Sequence, residues 1–171
     1  KIAQQPSVSM LNFTGSYGDP IYHTRLVDIV KIAKRYNKRV HITTNGSYRK
    51  AEWWEELGNA LTKYDTVTFS VDGLEHNNHI YRVNADWPSI ETGMRTLAKH
   101  KNNIFTEWKW ILFNHNENDV TKGYDLSKEI GIMDFTVVET SRWSKGQQAI
   151  RPYSDVLEEL KNHIESKKNG N

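Results

Sequence analysis

The chain has 171 residues, enough for one domain or a large part of one. Lys and Arg number 23 against 21 acidic residues, a formal charge of +2, and so even a balance argues against a dedicated nucleic-acid binder. No apolar run approaches the roughly 20 residues of a membrane helix, no secretory signal is visible, and the absence of cysteine excludes disulfides.

Strand-like and helix-like patterns then alternate. Residues 7–13 read as a first strand, followed by the turn GSYGDP. That turn crowds Gly15, Gly18, Asp19 and Pro20 where a bare connection needs one glycine, as if backbone had to approach a ligand. Residues 24–36 place Leu26, Val27, Ile29, Val30 and Ala33 at helical spacing. A strand over 39–44, a helix over 51–63 and a strand over 66–71 come next. A helix over 87–101 carries Pro88 in its first turn, where proline is tolerated. A strand over 104–113, a helix over 119–130 ending at Gly131, a strand over 134–139 and a helix over 153–168 complete the chain. Strand followed by helix, five times at a period of about 30 residues, reads as a parallel sheet covered by helices. Residues 1–150 form the βα-repeat core, and 151–171 a terminal helix and tail able to lead into a further domain.

The strands alternate in polarity. Val40, Ile42 and Thr44 oppose His41, Thr43 and Asn45, and Val67, Phe69 and Val71 oppose Thr68, Ser70 and Asp72. A parallel strand covered on both faces is apolar on both. Here one face packs on helices and the other lines a hollow, as in a barrel that holds a ligand; an antiparallel sheet with one wet face is the competing reading. Ligands of α/β folds sit at the C-terminal ends of strands. The five strands end in Gly18-Asp19, Asn45-Gly46, Asp72-Gly73, Asn114 and the loop 140–142.

The ordered set GSYGDP, TTNGS, SVDG followed by YR, and ILFN, at successive strand ends, resembles the core of the radical S-adenosylmethionine (radical SAM) superfamily. The likeness runs from about Ser7 to about Arg142. It implies an α/β fold, a partial, TIM-barrel-like parallel (β/α) barrel of the radical SAM type. GSYGDP takes the place of the family's GGEP-like motif, which closes the second strand, so the first β-strand and the cluster loop are missing. The family binds a 4Fe-4S cluster through a CxxxCxxC loop; ligation needs thiolates, and the ligands are expected upstream of Lys1, in a segment that this sequence lacks, the alternative being a degenerate relative that has lost the cluster.

The resemblance also assigns S-adenosylmethionine contacts. Gly18 lets backbone come close, Asp19 accepts from the cofactor's ammonium, and Pro20 stiffens the turn. Asp19 can also serve as a helix cap. Ser70 and Asp72, two apart on one face, suit a ribose diol or their own loop backbone. Arg82 meets the cofactor carboxylate, Thr44 and Asn45 shape the rim, Asn114 contacts the cofactor, and Val137 and Val138 offer backbone and apolar surface to its adenine. The parent is then an enzyme that cleaves S-adenosylmethionine and abstracts hydrogen by a 5′-deoxyadenosyl radical. It works in the cytoplasm on an unknown small-molecule or peptide substrate, with an electron donor as partner. The chain alone, without cluster cysteines, is expected to be inactive.

Two other readings compete. Glu75, His76 and His79, with His41 and Asp72, sketch a metal-dependent barrel hydrolase. A non-catalytic nucleotide-binding domain needs only the barrel and the ribose site. Trp53, Trp54, Trp108 and Trp110 read as core and rim packing, and the basic stretch 31–39 as the wet face of a helix.

Overall fold

The computed structural model describes residues 1–15, 18–141 and 146–169; Ser16 and Tyr17 of the GSYGDP turn, and Arg142 of the last strand-end loop, lie outside them. Five strands, β1 (Met10–Phe13), β2 (Arg39–Thr44), β3 (Thr66–Ser70), β4 (Phe105–Ile111) and β5 (Asp134–Val138), form one sheet. Every neighbouring pair is parallel and the spatial order is the order of the chain. The parallel pairing disposes of the antiparallel alternative. Strand order never reverses, so the sheet has no switch point of the doubly wound kind. Right-handed crossovers repeated in one direction lay successive helices side by side on a single face, which is how a (β/α) barrel grows.

The helices follow that path. They are α1 (Leu26–Arg35), α2 (Ala51–Ala60), α3 (Asn78–Tyr81), α4 (Trp87–Ala98), α5 (Val120–Ile130) and α6 (Tyr153–Asn169). α1 packs on α2, α2 on α4, α4 on α5 and α5 on α6. Val30 and Ala33 of α1, Trp54 and Leu57 of α2, and Ile90, Met94 and Leu97 of α4 meet Val40, Ile42, Val67, Phe69, Trp108 and Trp110 of the sheet in one core. Trp54, Trp108 and Trp110 are fully buried. Burying each aromatic of this size stabilises the fold by roughly 2–3 kcal/mol. Val156 and Leu160 of α6 join the same core.

Several elements are shorter than their sequence patterns. β1 begins at Met10, not residue 7, and α2 stops at Ala60. Asp86 starts α4, its carboxylate accepting from the Ser89 N–H at 3.0 Å, with Pro88 in the first turn as the sequence suggests. Gly131, at φ 94°, closes α5 in the left-handed region, also as the sequence suggests.

Candidate active site

The C-terminal ends of β1, β2 and β3 surround a cavity of about 280 Å³. Thr14, Gly15, Gly18, Asp19 and Tyr22 line it from the loop after β1, Thr43, Thr44 and Asn45 from β2, and Ser70 and Arg82 from β3 and beyond. A larger hollow of about 630 Å³, lined by Lys34, Tyr64 and Asn103 among others, lies at the opposite end, before the strands begin. In βα barrels that end carries stability and the C-terminal end carries chemistry, so the smaller cavity is the candidate site.

The crowded turn has a physical reason. A Cβ on Gly15 would run into the Gly18 carbonyl, so the loop doubles back at a spacing only glycine permits. It delivers Asp19 to the top of β2. One carboxylate oxygen, Oδ1, accepts from the Ile21 N–H at 3.1 Å and the Thr44 hydroxyl at 2.7 Å; Oδ2 accepts from the Asn45 N–H at 2.6 Å. Asp19 is therefore a cap of the 3-10 turn Pro20–Tyr22, and at the same time a clamp between two strand ends. An ionised carboxylate accepts at about four positions, which leaves room for a donor from the cavity. Pro20 opens the 3-10 turn and does not line the cavity. The Thr44 hydroxyl also accepts from the Gly46 N–H at 3.0 Å, and the Asn45 side chain is bound to Ser47.

Ser70 contrasts with these. Its hydroxyl lines the cavity and makes no hydrogen bond among the described residues. Arg82 lies across from it, held through Nε on Asp72 Oδ2 at 2.6 Å. Its terminal amino groups have no hydrogen-bond partner among the described residues.

Asp72 has another task than the ribose diol expected of it. It is fully buried and lies outside the cavity lining. Oδ2 holds Arg82 and Oδ1 accepts from the Ile111 N–H at 2.7 Å. Burial pushes its carboxyl up, and Arg82 and the Ile111 N–H offset only part of that rise. Asn114 and Val138 are also placed elsewhere. Asn114 donates to the Gly146 carbonyl at 2.5 Å, and Val138 pairs with Ile111 at the top of β5. Asn116, two residues on, does the joining at this end: its amide donates to the Asp72 and Ile111 carbonyls at 2.8 and 2.9 Å.

Sequence reasoning overlooked Thr14 and Tyr22. Thr43 lines the cavity as expected of the polar face of β2, though nothing in the sequence singled it out as a contact. Tyr22 carries no such signal; it reaches the cavity from the 3-10 turn, its ring tilted at 34° against that of Tyr48 with centroids 4.5 Å apart. The histidines of the metal reading disperse. His76 lies 3.0 Å from Asp119 Oδ2, and His79 is exposed. Among the described residues no three His, Cys, Asp or Glu side chains are grouped to hold a metal ion.

An open, sequentially ordered parallel sheet with a polar cavity at its strand ends is a fold that radical SAM enzymes share. Solved structures of that class superpose on it. SuiB from Streptococcus suis matches 88% of this chain at a TM-score of 0.69 and 15% identity, and a crystal form of SuiB bound to S-adenosylmethionine matches at 0.68. A domain of pyruvate-formate lyase-activating enzyme from Bacteroides vulgatus matches 92% of this chain and 94% of its own at 0.70 and 13% identity. TYW1 with a lysine-pyruvate adduct bound matches 86% of this chain and 47% of its own at 0.60 and 16% identity. The chain spans 35% of the length of SuiB. At such identities the likeness is one of fold. No family model matches the sequence, and no curated protein is similar to it in sequence.

Proposed function

We propose that this chain is the cofactor-binding core of a radical SAM enzyme. One observation carries the reading: Asp19, Asn45, Ser70 and Arg82, from three different strand ends, meet at one cavity. The chemistry of these donors fits the amino-acid end of S-adenosylmethionine. Asp19 offers a carboxylate to an ammonium, Arg82 a guanidinium to a carboxylate, and Ser70 an unpartnered hydroxyl to either a carboxylate or a ribose oxygen. At about 280 Å³ the cavity is at the low end of ligand pockets. It suits part of such a ligand, and the remainder would extend over the concave face of the sheet.

Bound beside a reduced 4Fe-4S cluster, S-adenosylmethionine supplies hydrogen-atom abstraction from a carbon–hydrogen bond. The residues of this chain do not fit the cluster itself. Cluster iron requires thiolates and there is no cysteine, so those ligands would come from outside this sequence, and an electron donor would be a partner of the whole enzyme. What this chain contributes is orientation. Asp19 fixes the amine end while clamping β1 to β2. Arg82, immobilised by the buried Asp72, presents its free nitrogens without having to reorganise. A small molecule or a peptide is the substrate; SuiB has been crystallised with its precursor peptide SuiA, at a TM-score of 0.69 to this chain.

Calorimetric titration of the full-length protein with S-adenosylmethionine tests the reading. Arg82→Met and Asp19→Ala are each expected to weaken binding about tenfold or more, the worth of a charge-assisted hydrogen bond. Ser70→Ala should weaken it by a smaller factor. Wild-type affinity in both charge variants would overturn the placement.

A further inference from the structure

The cavity opens onto the concave face of the sheet, which carries charges that the fold itself does not use. Parallel register aligns the side chains there: Thr43 beside Thr68 and Glu107, and Ser70 beside Lys109 and Thr136. His41 Nε2 lies 3.0 Å from Thr68 Oγ1, and that hydroxyl donates to Glu107 Oε2 at 2.7 Å. A hydroxyl that gives its proton to a carboxylate can only accept from the ring, so His41 carries a proton on Nε2. Glu107 is thus fixed by one oxygen, and Oε1 has no partner among the described residues.

Lys109 follows Glu107 by two residues on the same face, about 6.6 Å along the strand. It is half-buried and makes no hydrogen bond or ion pair among the described residues, although Glu107 is adjacent and Asp72 close enough to feel its charge. The helices cover the opposite face, so this array supports no core. A half-buried ammonium loses hydration without gaining a partner, a deficit that a ligand's anion would make good.

We propose that Lys109 and Glu107, the latter oriented by Thr68 and His41, form the substrate subsite. It takes an amino acid or peptide that presents a carboxylate to Lys109 and an N–H donor to Glu107. The inference rests on the cofactor reading, because it is the register of Lys109 with Ser70 that sets the subsite next to the cofactor cavity.

The test uses N-acetylglycine, which carries both groups, and N-acetylglycinamide, which lacks the charge. Affinities for the full-length protein are measured by ligand-observed NMR. The acid is expected to bind about tenfold more tightly than the amide. Lys109→Met should abolish that preference, Lys109→Arg should restore it, and Glu107→Gln should weaken both probes. Equal binding of the two probes to the wild type overturns the subsite. So does a preference that survives Lys109→Met and disappears in Arg82→Met, which would put the carboxylate in the cofactor cavity. A preference that follows Lys109 in a protein that fails to bind S-adenosylmethionine keeps the subsite and removes the cofactor reading. Thermal melting of each variant separates loss of binding from loss of fold.

Discussion

Asp65 and Asp72 bracket β3, both fully buried, and each neutralises a cation. Asp65, before the strand, takes Lys34 together with the Val40 and Thr62 N–H groups and ties the N-terminal ends of β2 and β3 together. Asp72, after the strand, takes Arg82 and stiffens the cavity. Spacing told that Asp72 shares a face with Ser70; it could not tell that an arginine ten residues on would claim its carboxylate first. The same limit explains Asn114 and Asn116, two similar side chains near one strand end whose tasks depend on which one the loop turns inward. Asp119 yields a measurable consequence at this scale. Burial pulls its carboxyl upward, yet Lys122 and His76 outweigh burial and hold it below the ordinary carboxylate range. A carboxyl depressed by folding stabilises the protein above its unfolded pKa, and that contribution fades as pH falls through the folded one. Lys122 and His76 are largely exposed, so screening keeps the effect below about 1 kcal/mol. Urea midpoints at pH 6 and pH 3 are therefore expected to differ more in the wild type than in Asp119→Asn, which starts lower and changes less. Equal acid sensitivity would show that the pair contributes nothing.

At the scale of elements the pattern was legible wherever one face of a strand or helix had to be buried. The five strands and five long helices follow from apolar spacing. The short α3 lies where the sequence allows either a surface loop or a short helix, and apolar spacing cannot choose because side-chain amides hold it: Asn77 Oδ1 accepts from the Leu74 N–H at 2.7 Å and Asn78 Oδ1 from the Asp72 N–H at 2.9 Å. No periodicity reports such bonds. Nor does it report how tightly α4 lies on α2. A Cβ on Gly93 would come 2.7 Å from the ring of Trp54, which is fully buried and has no space to withdraw. Gly93→Ala improves helix propensity by about 1 kcal/mol, but overpacking a filled core costs about 1–3 kcal/mol, and the second term wins. A lowered melting temperature is expected, with native-like secondary structure by circular dichroism. A raised one would mean that α4 slides outward at little cost.

The whole molecule is a barrel sheet left open, and its two edges are not alike. At β5 the hydroxyl of Tyr153, the first residue of α6, donates to the Val137 carbonyl at 2.7 Å and blunts the edge. At β1 the described residues supply a partner on the β2 side alone, and Met10 is 45% exposed. An uncovered parallel edge beside an open concave face is a template for another strand. The 171-residue chain on its own is therefore expected to self-associate through β1. Sedimentation equilibrium should show an average mass that rises with concentration, and Met10→Lys, which places a charge on that edge, should return it to the monomer mass. The sheet order of the fold decides the sense of this test. Strands are added in sequence, so a strand that precedes β1 in a longer form of the protein would dock beside β1 and suppress the association without substitution. A monomer at all concentrations in the 171-residue chain would show that the β1 edge is shielded in solution.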